Sequence, residues 1–243
     1  MFFLDFDGTL SPIVDRPEDA TIDAETREAV RLLAERYPVA ILSGRDREDV
    51  ERRVALDGLI YAGSHGFDVQ GPDGLRYEHE PAAAYLPDLD ALERELEEAL
   101  AGIDGALVDR KRFAVAVHDR QVADRHLAEV AHVVFEASRR HPRLHASKGR
   151  RVHEFRPDVQ WDKGRALLWL IDALGFEPAE VAAMYVGDDT TDEDAFRALR
   201  ESDAGVGVVV RSEDRDTRAE YRLDGSGEVL DLLVRLPARL MSR

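Results

Sequence analysis

Short apolar runs alternate with stretches of helical periodicity along most of the 243 residues. Met1–Leu4 is an apolar run that stops at Asp5. Thr21–Arg36 carries Ile22, Val30, Leu32 and Leu33 at helix-compatible positions. Val39–Leu42 then reads as a buried strand, Arg45–Val54 as a helix and Leu59–Ala62 as a third strand. This order predicts parallel pairing with right-handed crossovers, since each helix carries the chain back to start the next strand in the same sense. The same logic returns late in the chain. Asp162–Leu174 predicts a helix stopped by Gly175, and Val181–Val186 a strand apolar enough to be buried on both faces. Asp192–Arg200 predicts a helix, Ala204–Val210 a strand and Glu228–Arg239 a last helix.

The middle has a different rhythm. Gly71-Pro72-Asp73-Gly74 is a turn signal inside Val69–Tyr77. Leu89–Ala101 and Ala123–Arg140 predict amphipathic helices. Ala106–Val108 with Phe113–Val117, and Leu144–Ala146 with Val152–Phe155, predict strand pairs. Strands joined by short turns beside two helices predict an α+β unit with an antiparallel sheet. The expected organisation is an α/β core of residues 1–78 and 157–243, with an inserted α+β domain at 79–156.

Ligands of open α/β sheets bind beyond the carboxyl ends of the strands, and polar clusters fall there in this chain. Asp5-Phe6-Asp7-Gly8-Thr9 follows the first strand and Ser43-Gly44-Arg45 the second. Lys163 opens the helix after the insertion, and Gly187-Asp188-Asp189-Thr190-Thr191-Asp192 follows the strand at 181–186. Asp5, Asp7, Asp188, Asp189 and Asp192 would crowd carboxylates into one crevice, which is costly unless a cation sits among them. Oxygen-only donors favour Mg²⁺ over zinc or copper. Asp188 and Asp192 also suit a helix N-terminus, but capping needs no third acid. Asp189 reads as either a metal neighbour or a partner of Lys163. A carboxylate here would attack phosphorus, a second would handle the proton, and Ser43 and Lys163 would hold phosphoryl oxygens.

Composition narrows the picture. No cysteine means no disulfide, thiolate metal site or cysteine nucleophile, and it fits a cytoplasmic setting. No apolar stretch is long enough for a membrane span. The net charge of −17 argues against nucleic acid or an anionic membrane as a partner. The acidity is local: the insertion holds 14 acids and 13 bases, leaving 36 acids and 20 bases in the core. Only Lys111, Lys148 and Lys163 are lysine among 33 basic residues, so a compact charge at these places stands out.

With Asp5-Phe6-Asp7-Gly8-Thr9, Ser43, Lys163 and Gly187–Asp192 in this order, the chain resembles the haloacid-dehalogenase-type phosphatases. Leu10-Ser11-Pro12-Ile13, Ala62-Gly63-Ser64-His65-Gly66, Val152-His153-Glu154-Phe155-Arg156-Pro157 and Asp162-Lys163-Gly164 are similar to the trehalose-6-phosphate phosphatases of that superfamily. The resemblance implies a Rossmann-like core with an α/β cap that sets specificity. It implies Asp5 as nucleophile and Asp7 as general acid/base, with Mg²⁺ on Asp5, Asp188 and the carbonyl of Asp7. Asp189 and Asp192 would stand behind the metal ligands. Substrate would meet Ser43, Gly44, Arg45 and His65 in the core, and Lys111, His118, Lys148 and Glu154 in the cap. Asp109 stands where the family often has Glu, and Asp119 where it often has Tyr.

The implied reaction is hydrolysis of a small phosphosugar, trehalose 6-phosphate first, by a monomeric enzyme. Other phosphosugar phosphatases, a phosphomutase and a non-catalytic phosphosugar sensor are the rival readings; only the last would tolerate loss of Asp5, Asp7 or Lys163. With four residues ahead of Asp5, no fused N-terminal domain is expected.

Overall fold

The computed structural model describes residues 1–14, 16–149, 151–176, 182–211 and 216–240, with no side-chain account of 237–240. The chain divides into two compact units, residues 1–78 with 161–243, and residues 79–160. The second crossing thus falls at 160/161, four residues beyond the expected 156/157. The reason is that the last strand of the insertion runs to Pro157, and Asp158 N still donates to Arg143 O.

The first unit begins with β1 (Phe2–Leu4), α1 (Ala24–Ala34), β2 (Val39–Leu42), α2 (Arg47–Val54), β3 (Ile60–Gly63), β4 (Asp68–Gln70) and β5 (Arg76–Glu78). The second unit holds α3 (Glu80–Ala83), α4 (Leu86–Leu100), β6 (Leu107–Lys111), β7 (Ala114–His118), α5 (Leu127–Arg140), β8 (Leu144–Gly149) and β9 (Val152–Pro157). The first unit resumes with α6 (Lys163–Ala173), β10 (Ala183–Gly187), α7 (Asp192–Ser202), β11 (Gly205–Val210), β12 (Tyr221–Leu223) and α8 (Ser226–Leu240). Val181, placed by the apolar pattern in the strand that became β10, lies outside the described residues.

The first unit is a mixed eight-stranded sheet in the order β12-β11-β10-β1-β2-β3-β4-β5, parallel from β12 to β3 and antiparallel beyond. Side chains alternate across it, as a pleated strand requires. Phe2, Leu4, Val39, Ile41, Val208 and Val210 pack with Val30, Leu33, Val50 and Val229 of α1, α2 and α8. Phe3, Ala40, Leu42, Tyr185 and Val209 pack on the other face with Leu167, Leu170, Phe196 and Leu199 of α6 and α7. Both faces are covered, which is why these strands read as near-continuous apolar runs. Trp161 and Trp169 pack on Tyr77, with ring centroids 5.4 and 4.3 Å away.

The second unit is an antiparallel sheet in the order β6-β7-β9-β8. Val115, Val117, Phe155 and Leu144 bury one face against Leu89, Leu92 and Leu96 of α4 and Val130 and Val134 of α5. No described helix is long and apolar enough to cross a membrane.

Candidate active site

Asp5 is the first residue past β1, and its N–H still donates to Val186 O of β10 at 2.9 Å. The central strands therefore deliver its carboxylate to the carboxyl edge of the sheet, where it is 4% exposed. Lys163, the first residue of α6, is 3% exposed and donates to Asp5 Oδ1 at 2.9 Å and Asp192 Oδ1 at 2.7 Å. An ammonium at a helix N-terminus opposes the macrodipole; here two carboxylates offset that penalty. Asp162 caps the same helix by accepting from Arg165 N at 2.8 Å.

Asp192 is anchored by more than Lys163. Tyr185 OH donates to its Oδ1 at 2.6 Å and Asp189 N to its Oδ2 at 2.8 Å. Asp188 lies against Gly8, whose φ is +77°; a Cβ there would come within 2.1 Å of Asp188 Oδ2. A Cβ on Gly187 would likewise stand 2.4 Å from Asp192 Cγ. These two motif glycines are positions where backbone must approach carboxylate closely.

Asp5, Asp188 and Asp192 each place a carboxylate oxygen within 4.8 Å of the others. One ammonium does not balance three such charges. Burial pushes the Asp5 carboxyl well above its usual range, with Asp192 and Asp188 adding to the rise and Lys163 opposing it. Burial, then Asp192 and Asp189, push Asp188 up to about 8. Lys163, despite burial, is held well above the ordinary lysine value by Asp192 and Asp5. An all-oxygen donor set with surplus negative charge is chemically suited to a hard divalent cation. Both Asp192 oxygens already accept bonds, whereas only Oδ1 of Asp5 is turned to Lys163.

The loops after β2 and β3 are laced together. Ser43, 1% exposed, accepts at Oγ from Arg45 N (3.1 Å), and its carbonyl accepts from His65 N (2.9 Å). Ser64 N donates to Arg45 O at 2.7 Å. Ser64 and His65 both adopt positive φ, 50° and 59°, and a Cβ on Gly44 would lie 3.0 Å from His65 Cε1. Ser43, Gly44 and His65 therefore form one local cluster.

Three expected residues have placements that the sequence does not specify. Asp189 does not bond Lys163; that place belongs to Asp192, because Asp189 Oδ1 accepts from Thr190 N at 2.6 Å. Arg45, expected on the substrate, holds Asp7 through two 2.7 Å bonds, Nε to Oδ2 and Nη2 to Oδ1. Lys148 is separated from the other cap candidates by strand parity. Asp109, Ala116, Glu154 and Ser147 form one cross-strand row, with Lys111 and His118 two residues away on the same face. Lys148 pairs with His153, on the face that α4 and α5 pack against. On the polar face Lys111 Nζ donates to Glu154 Oε2 at 3.2 Å, and His118 Nε2 lies 3.7 Å from Asp109 Oδ2. Tyr185 carries little signal in the sequence beyond a lone polar oxygen in an apolar strand two residues before Gly187.

The sequence model of the trehalose-phosphatase family matches residues 3–227. Probable trehalose-phosphate phosphatase E of Arabidopsis thaliana is 42% identical over 252 residues, covering 100% of this chain and 71% of that protein. Trehalose-phosphate phosphatase of Mycobacterium tuberculosis (strain H37Rv) is 46% identical over 242 residues, covering 98% of this chain and 61% of its relative. The crystal structure of a trehalose-6-phosphate phosphatase related protein shares the fold, with a TM-score of 0.84 at 23% identity over 100% of this chain and 99% of that one. Site geometry aside, the extent of these matches makes the chain a member of the trehalose-phosphatase family.

Proposed function

We propose that this chain hydrolyses trehalose 6-phosphate to trehalose and inorganic phosphate. The observation that carries the chemistry is the buried Asp5, fixed at the end of a central strand with Lys163 on one oxygen. Its carboxylate attacks phosphorus; a bond from Asp5 to phosphorus forms as the ester oxygen leaves. Asp7 gives the leaving oxygen its proton, then takes one from the water that hydrolyses the aspartyl-phosphate. Ser43 and Lys163 hold phosphoryl oxygens, and Asp192 with Tyr185 keeps Lys163 in place. Asp5, Asp188 and the carbonyl of Asp7 would hold Mg²⁺. What the ion supplies there is charge neutralisation on the phosphoryl group. In the second unit, Lys111, Glu154 and His118 offer charged and polar groups to sugar hydroxyls. The same reading has the enzyme work as a monomer in the cytoplasm, on a small molecule rather than nucleic acid or membrane.

A phosphate-release panel with Mg²⁺ over trehalose 6-phosphate, sucrose 6-phosphate, mannosylphosphoglycerate and glucose 6-phosphate tests the substrate. We expect kcat/KM to favour trehalose 6-phosphate by about 10²-fold or more, since sugar-binding groups left unpaired by the wrong substrate are costly. Comparable rates on all four, or preference for the monosaccharide, would discard the assignment.

The cation site has its own readout in thermal melting. Asp188 has a folded pKa of about 8 against an ordinary 3.8, so the fold binds more protons than the unfolded chain between those values. Without a cation its contribution is therefore unfavourable and grows as pH climbs from about 4 towards 8. In EDTA, Tm should fall between pH 6 and pH 8. Mg²⁺ at 100 times its Kd at pH 6 should add ~2.7 kcal/mol there, or about 5–10 °C, and the same concentration should add more at pH 8. A melting curve indifferent to Mg²⁺ at both pH values would remove Asp5 and Asp188 as its ligands.

A further inference from the structure

The contacts of Arg45 tie its guanidinium down from several sides. Two of its nitrogens grip the two oxygens of Asp7, Nη1 donates to Asp49 Oδ2 at 3.0 Å, and Nη2 also donates to Pro17 O at 2.7 Å. Its carbon Cζ lies 5.5 Å from the Phe6 ring centroid. Asp49 is in turn held by Arg52 at 2.7 Å and Arg53 at 2.8 Å. The Arg45 side chain is 10% exposed, whereas that of Asp7 is 46% exposed. The buried partner is the fixed one, and the half-exposed carboxylate is the one that needs fixing. A planar fork matched to both carboxylate oxygens sets orientation as well as distance, which a point charge does not.

We propose that Arg45 is a positioning residue for Asp7 and does not bind substrate. A guanidinium that turned to a phosphoryl group would give up Asp7, Asp49 and the Pro17 carbonyl together. Left in place, it spares Asp7 the rotamer freedom that an exposed aspartate otherwise has. Misplacing a reacting group by even 1 Å costs about 10²-fold in rate. This rests on Asp7 being the acid–base group of the proposed phosphatase reaction.

The test is a double-mutant cycle on the full chain with trehalose 6-phosphate and Mg²⁺. Asp7→Asn alone should cost about 10²- to 10⁴-fold in kcat, leaving a measurable residual rate. Arg45→Met and Arg45→Lys should each lower kcat about 10²-fold with KM unchanged. The lysine variant keeps the charge without the fork, and it covers the case in which the methionine variant folds poorly. In the Asp7→Asn chain, neither Arg45 substitution should lower the residual rate further, because its target is already gone. Equal losses in both backgrounds, or a raised KM with kcat preserved, would overturn the proposal. Wild-type turnover by Asp7→Asn would instead bring down the acid–base reading of Asp7, and the Arg45 proposal with it.

Discussion

Asp5→Asn should abolish phosphate release, by about 10⁵-fold or more, while circular dichroism remains that of the parent chain. Loss of a covalent nucleophile in other hydrolases costs on the order of 10⁶ in kcat, and an amide oxygen is no substitute for a carboxylate at phosphorus. The fold should tolerate the change for local reasons. Asparagine has the same shape, and its amide oxygen can still accept from Lys163, which stands 2.9 Å from Asp5 Oδ1. The substitution also removes a carboxylate whose ionised form is opposed by burial and by Asp192 and Asp188. Metal-free Asp5→Asn should therefore melt no lower than the metal-free parent at pH 8. Phosphate release within tenfold of the parent would place the nucleophile elsewhere, and the remaining roles would go with it.

The sheet of the first unit was legible because its strands are buried on both faces and end on chemistry. Val39–Leu42 is the same span in sequence and structure, and Phe2–Leu4 and Gly205–Val210 differ from their expected bounds by one residue. Elements without such burial were not legible. β12 is an edge strand, with Tyr221 61% exposed, so no apolar alternation marks it. α3 is a single turn whose cap comes from His79 Nδ1 accepting from Ala82 N, a local bond with no periodic signature.

Within the site, the motifs could be found but not their pairings. The acids after Gly187 are equivalent on paper. Only the first turn of α7, with Tyr185 beneath it, turns Asp192 rather than Asp189 towards Lys163. Asp7 and Arg45 lie 38 positions apart, and parallel strands β1 and β2 bring the two loops together. The face taken by Lys148 depends on hairpin register, which opposes Ser147 to Glu154. A slip of one residue would have put Lys148 beside Lys111 and Glu154 instead.

Lys163→Met should cost stability as well as activity, and the two losses should respond differently to Mg²⁺. The ammonium is buried and answers Asp5 and Asp192 directly. Removing one member of a buried ion cluster costs about 3–5 kcal/mol, which for a chain of this size is about 6–20 °C in Tm. The deficit should be largest at pH 8 in EDTA. It should shrink towards pH 5, where the raised pKa values of Asp5 and Asp188 let both carboxyls take up protons. Mg²⁺ should restore part of the melting temperature, because a divalent charge can replace part of the lost cation. It should not restore turnover, which needs a donor fixed over the phosphoryl oxygens and should stay down by about 10²- to 10³-fold. Lys163→Arg should fare no better, since a planar fork does not fit a slot cut for a compact ammonium between two carboxylates. A Lys163→Met chain that melts with its parent in EDTA at pH 8 would mean the buried acids are balanced by something other than Lys163. The assignment of the surplus charge to a divalent cation would then fail with it.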